Sequence, residues 1–227
     1  MTGMARGTVR RGAWVVAGLI GLLVAAAPAQ ASYVTAEFQG IWGVQIGYTL
    51  NGTHHDDVYA GKVVWKTISS DAGFSGIFHT FCLEPNLNLK IGNQYTFNLG
   101  PINGAPVPGP AMGDDKADSV RELWAKFHDN LDTKTKAAAI QIAIWDIVYD
   151  DFTADSSAAN TLAQQWLSEL NGLHNKHECP LTALTNPNLQ DQITCHCHET
   201  PVPPTLALAG MGLLSLCGYA RPWRKRS

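Results

Sequence analysis

The chain reads as an α+β protein in which strands come first and helices second. Three observations carry this. Residues from Tyr33 to Phe97 alternate apolar with small or polar side chains and are rich in aromatic and β-branched types. A Pro/Gly-rich loop, Gly100 to Gly113, ends that texture. Beyond the loop, apolar residues recur at three- and four-residue spacing. Segregation of this kind, without strand and helix taking turns, marks the α+β class.

The strand region begins with YVTAEFQGIWGVQIGYTL from Tyr33 to Leu50, and Asn51-Gly52 after it is a hairpin turn signal. Val58-Tyr59 and Lys62 to Ile68 follow as strands. Ile77 to Leu83 (IFHTFCL) alternates again and sets Cys82 opposite Phe81. Leu89 and Gln94 to Leu99 complete the set. After the loop, Lys116 to Leu131 places Val120, Leu123, Trp124 and Phe127 on one helical stripe. Thr133 or Thr135 is the expected N-cap of a central helix running to Asp150. A third helix, Ser156 to Leu170, presents Leu162, Trp166 and Leu170 on one face and stops at Asn171-Gly172. This defines a domain over 32–172, mainly β over 32–99 and mainly helical over 114–172. Residues 173–199 lack periodicity and read as a loop-rich appendage with clustered Cys and His.

Both ends read as processing segments. Arg6, Arg10 and Arg11 precede an apolar run from Ala13 to Ala27 and then Pro28-Ala29-Gln30-Ala31, so residues 1–31 form a signal peptide cut after Ala31. At the other end, an apolar stretch over 206–220 is followed by Arg221, Arg224, Lys225 and Arg226, a stop-transfer pattern with its basic end in the cytoplasm. The terminal segments hold seven of the 16 basic residues and none of the 19 acidic ones, which leaves the exported part at −10. Such an acidic surface argues against nucleic-acid binding and suits solubility outside the cell.

Four cysteines lie in the exported part. Cys179, Cys195 and Cys197 cluster near its end and predict a disulfide from Cys179 to Cys195 or Cys197. The weaker alternative is a zinc site drawn from His174, His177, Cys179, Cys195 and Cys197, whose spacing is not a standard ligand pair. His54-His55-Asp56-Asp57 reads as a solvated loop tip, and Asp146, Asp150, Asp151 and Asp155 as an exposed acidic face. No cofactor is expected.

Cys82 stands apart, and its candidate partner lies in the central helix. In Ala137 to Asp150, AAAIQIAIWDIVYD, the residues Ala137, Gln141, Ile144, Trp145 and Val148 share a face. Gln141 therefore points into the core, where an unpaired amide costs a few kcal/mol and needs partners or a covalent fate. The three alanines at 137–139 admit a neighbouring element closely, and a strand carrying Cys82 would suit. Attack of the thiolate on the carboxamide, with loss of ammonia, would make an internal thioester. The link would join the β and helical parts across a long loop and stabilise by a few kcal/mol, as a disulfide does.

Phe81-Cys82-Leu83 together with Ile140-Gln141-Ile142-Ala143-Ile144-Trp145 resembles bacterial thioester domains of the TQxA type, over roughly Phe38 to Leu170. Ile140 departs from the threonine many members carry. The resemblance implies an antiparallel β-sandwich or barrel packed against a helical subdomain, with a Cys82–Gln141 thioester at their junction. Phe81, Ile144 and Trp145 would shield the bond. It also implies covalent capture of amines on a partner protein or surface, a single event per molecule without enzymatic turnover. The C-terminal segment 200–227 is similar to a PEP-CTERM sorting signal: Pro201 and Pro203 match its two prolines and Thr205-Leu206-Ala207-Leu208 the residues after them, with Val202 where glutamate is usual. That similarity implies an exosortase-type processing enzyme as partner, transient membrane anchoring, and a final place at the cell surface or outside. The alternatives are a non-covalent structural protein of the surface or extracellular matrix and, more remotely, a cysteine hydrolase served by a histidine such as His79.

Overall fold

The computed structural model describes residues 32–85, 89–172 and 180–195. The segments read above as signal peptide and sorting tail, with Pro201, Pro203 and Thr205, lie outside the described residues, as do His174, His177, Cys179 and Cys197. Among the described residues no helix is long and apolar enough to cross a membrane.

Strands β1 (Tyr33–Leu50) and β2 (Thr53–Ser70) form one long antiparallel hairpin. Its turn is Asn51-Gly52, and both residues take positive φ, 51° and 72°. Asparagine and glycine enter that region at least cost, so this dipeptide closes two-residue hairpins. Along β1 the buried residues are Val34, Ala36 and Phe38, then Ile46, Tyr48 and Leu50, the period of two that the sequence shows. Three register shifts interrupt the β1–β2 ladder and bend it. Gly43 faces Gly61 across the pair, and a Cβ on either would overlap the backbone of the other strand. The close crossing exists because neither residue has a side chain.

The remaining strands are β3 (Ile77–Cys82), β4 (Gln94–Pro101), β5 (Thr153–Ala154), β6 (Leu181–Thr185) and β7 (Gln192–Cys195). They pair antiparallel in the order β2-β3-β7-β6-β4-β1, and the β1–β2 pairing closes the ring. Six strands make a barrel, and β5 adds a short extension beside the far end of β1. Closure leaves no open edge in the ring.

Here one sequence expectation fails. The described part of 173–199 is no appendage, because β6 and β7 are inserted between β3 and β4 and complete the barrel. These strands are five and four residues long. Periodicity cannot stand out over so few residues among Asn, Gln and Pro. Pairing on both edges holds them, and that is a property of their neighbours.

Helices α1 (Gly113–Phe127), α2 (Lys134–Val148) and α3 (Ala158–Ser168) pack as a layer against the β1–β2 side. Asp114 and Asp115 occupy the first turn of α1, where the helix dipole favours acids. Thr133 caps α2 by accepting from the Lys136 N–H, and Ser157 caps α3 through the Asn160 N–H. The first helix ends at Phe127, with a 3₁₀ turn over His128–Asn130 in place of the helix expected to Leu131. The centre of α2 is enclosed on every side: all residues from Ala137 to Trp145 are buried. It lies between α1, α3 and strands β1 and β2, so no polar face is required of it.

The buried Glu122 ties the helical layer together. Its carboxylate accepts from the N–H groups of Asn171 and Gly172 and pairs with Lys126 at 2.8 Å. Burial pushes this carboxyl up, but the Lys126 bond and the two N–H groups outweigh it and hold it below the usual range. Gly172 follows α3 with φ of 72°, the left-handed stop predicted for Asn171-Gly172.

Candidate functional site

Cys82 is the last residue of β3, at the point where the barrel meets α2. The antiparallel register between β3 and β7 sets Gln192 directly across from it. From the other side, α2 delivers Gln141. The Gln141 carboxamide lies against the Cys82 backbone: Oε1 accepts from the Cys82 N–H at 2.8 Å, and Nε2 donates to the Cys82 carbonyl at 2.7 Å. It takes the place a further strand would have taken. Cys82 and Gln141, 59 residues apart in sequence, are thus brought together as the helix pattern and the isolated cysteine implied.

The sulfur itself is touched by the second glutamine. Gln192 places Nε2 at 3.4 Å and Oε1 at 3.5 Å from Sγ. The Gln192 amide belongs to a buried chain in which Trp65 Nε1–H donates to Thr80 Oγ1 at 2.9 Å and the Thr80 hydroxyl donates to Gln192 Oε1 at 2.8 Å. Its Nε2 also donates to the Gln190 carbonyl at 3.3 Å. Cys82, Gln141 and Gln192 are 2%, 1% and 0% exposed, so no amine from solvent reaches the sulfur or the amide without a local opening.

Charge around the site is acidic. Glu84 Oε2 accepts from the Asp191 N–H at 2.8 Å, and the Asp191 carboxylate accepts from the N–H groups of Val107 and Asn186. Burial pushes the Cys82 thiol up to about 12, the Gln192 hydrogen bond pulls it down, and the Glu84 charge adds to the rise. Burial lifts Asp191 to about 6 against the pull of the Asn186 and Val107 N–H groups. Glu84 rises through burial too, opposed by the Asp191 N–H. Tyr149 is raised first by burial and then by Glu84 and Asp191.

The three residues expected to shield a bond at this place are all buried, in two neighbourhoods. The Phe81 ring meets Trp124 edge-on at 5.7 Å, with Cys82 next to it in the chain. Trp145 packs on Tyr48 and Phe152, toward β1 and β5. Ile144 is wholly enclosed in the same core. The expectation that Phe81 and Cys82 face opposite ways across a half-exposed strand is corrected, because both are buried where β3 enters the helix–barrel junction. His79 is exposed and makes no hydrogen bond to Cys82.

Gln192 and Thr80 escaped sequence reasoning. The signal available was the alternation of Gln192 and Thr194 in QITC, which shares a face in an extended chain, but nothing in sequence ties that run to Cys82. Elsewhere, Cys195 is disulfide-bonded, with its partner outside the described residues. His54-His55-Asp56-Asp57 lies within β2, not on a loop tip, and His54 Nε2 stands 3.0 Å from Asp56 and 3.8 Å from Asp155. Of the acidic face, Asp150 pairs with Lys116 and Asp151 accepts from the Asn51 N–H.

The fold and site define an α+β protein in which a closed antiparallel barrel and a helical layer meet at a buried Cys–Gln pair. Comparison of the chain with protein-family models, with curated proteins and with solved structures returns no match.

Proposed function

We propose that this protein is a covalent capture module in which Cys82 and Gln141 condense to an internal thioester that is opened by an amine of a partner. The observation that carries the reading is the two-point seating of the Gln141 carboxamide on the Cys82 backbone. The Cys82 N–H already polarises the carbonyl that the thiol would attack, and is placed to take the charge as Oε1 becomes an oxyanion. The Cys82 sulfur bonds to Gln141 Cδ, the thiol proton passes to Nε2, and the Cδ–Nε2 bond breaks to release ammonia. In the capture step an amine nitrogen bonds to the same carbon, the C–S bond breaks, and the amine proton restores the thiol. The product is an amide between Gln141 and the partner, with no turnover.

Burial favours this chemistry by excluding hydrolytic water, and the high thiol pKa makes formation a slow event suited to a bond made once. Export through residues 1–31 and sorting through 200–227 by an exosortase-type enzyme would bring the module to a cell surface or matrix rich in amine-bearing polymers.

Intact-mass measurement tests the reading. The purified protein should be one ammonia lighter than its sequence requires, allowing for disulfides and terminal processing, and the deficit should vanish in Cys82→Ala and Gln141→Ala. A full-mass protein with a titratable Cys82 thiol overturns it. The same two hydrogen bonds support a second reading, a non-covalent structural protein in which Gln141 is a satisfied core amide tying α2 to β3. That protein would have full mass.

A further inference from the structure

We propose that Gln192 is a catalytic residue of the Cys82–Gln141 thioester, the hydrogen-bond donor that holds the sulfur as thiolate both when it attacks and when it leaves. The inference rests on the thioester reading for its place in a reaction, while its geometry is independent of it.

The orientation of the Gln192 amide is fixed from behind. Thr80 accepts the Trp65 indole N–H, and its own hydroxyl hydrogen goes to Gln192 Oε1. With Oε1 held by Thr80, Nε2 is the end left to serve the sulfur, at 3.4 Å, while also donating to the Gln190 carbonyl. An amide nitrogen has two hydrogens, so both bonds can stand together. Trp65, Thr80 and Gln192 are each fully enclosed, and Cys82 nearly so, so water cannot substitute for any of them. In the resting thiol the S–H can point to Oε1 at 3.5 Å. Once the proton leaves, Nε2–H faces a negative sulfur in a site of low polarity, where a donor counts for more than in water.

The two chemical steps need this donor alike. During formation the sulfur loses its proton to the Gln141 nitrogen while it bonds to Cδ. During capture the C–S bond breaks and the electron pair returns to sulfur before the amine proton arrives. Among the described residues, no cation and no imidazole bonds to Cys82 to do this work, and the nearby Glu84 charge opposes it. The fixed amide is the group the fold supplies.

Two measurements on the full chain separate this proposal from the one it rests on. In Gln141→Ala, where no thioester can form, the pH dependence of thiolate absorbance near 240 nm, taken against Cys82→Ala/Gln141→Ala, reads the sulfur alone. Adding Gln192→Leu should raise that transition by about one pH unit, the loss of one hydrogen bond to a charged group. In the otherwise unaltered chain, Gln192→Leu should slow methylamine incorporation at Gln141 at least about tenfold. Thr80→Val, which frees the amide to turn over, should move both readouts the same way, and Thr80→Ser should restore them. An unchanged thiolate transition in Gln192→Leu and in Thr80→Val overturns the proposal. Absence of the mass deficit in the unaltered chain, together with a shifted transition, sinks the thioester and leaves Gln192 as a thiolate donor. A deficit lost in Gln192→Leu but kept in Gln141→Ala would move the acyl group to Gln192 and overturn both. Should Gln192→Leu fail to fold, the Thr80→Val and Thr80→Ser pair decides.

Discussion

Gln141 pairs with both backbone polar groups of Cys82, accepting from its N–H at 2.8 Å and donating to its carbonyl at 2.7 Å. A side chain on a helix thus completes the hydrogen bonding of a strand end. The arrangement uses backbone atoms of Cys82, so it survives removal of the thiol. That property lets structural and chemical roles be separated.

In a Cys82→Ala background, Gln141→Ala should cost about 2–4 kcal/mol, because a buried donor and a buried acceptor lose their partners together. Urea denaturation measures it, with no covalent link in either protein. The same substitution in the unaltered chain should cost more if the thioester forms, since a cross-link over 59 residues is then lost as well.

Alkali should unfold the thiol form early. The folded Cys82 pKa, about 12, lies above its ordinary value near 9, so the folded state holds the proton more tightly. The contribution is fully present below pH 9 and is lost as pH rises toward 12. In Gln141→Ala, stability should fall across that window with a slope approaching 1.4 kcal/mol per pH unit. Denaturation of Gln141→Ala and of Cys82→Ala/Gln141→Ala at several pH values should show the slope in the first and a smaller one in the second.

Asp191 should impose a second pH dependence at the acidic end. Its folded pKa, about 6, is raised above the usual 3.8, so its contribution is present below pH 4 and fades as pH rises through 6. Asp191→Asn should flatten stability between pH 4 and 6. It should also weaken the loop, since one oxygen must serve where two accept from Val107 and Asn186. Thermal melts across that range check both effects.

The crossing of β1 and β2 should tolerate no side chain. Gly43→Ala drives its methyl into the Ala60 carbonyl, and Gly61→Ala meets the Trp42 carbonyl and the Gly43 backbone at a φ of 153°. Each should destabilise by about 3 kcal/mol or more, because backbone cannot step aside as a side chain can. Gly52→Ala, in open space at the hairpin turn but at φ 72°, should cost about 1 kcal/mol. Melting temperatures of the three variants rank them.

Sequence determined much of this protein through local rules. Period-two burial in β1, the Asn51-Gly52 turn, the Thr133 cap and the Gly172 stop are each written in a few adjacent residues, because strand pleat, positive φ and helix ends impose requirements that neighbours alone meet. Gln141 could be picked out for a related reason, since an amide in an apolar helix needs a partner. What only the tertiary structure decided is which elements meet. The barrel closes through β6 and β7, two strands too short to announce themselves, because pairing partners far off in sequence supply the hydrogen bonds that a pattern cannot encode. The same closure sets Gln192 opposite Cys82 and gives the thiol its neighbour. A register between strands 110 residues apart has no local signal, and it is that register which turns a buried cysteine into a site.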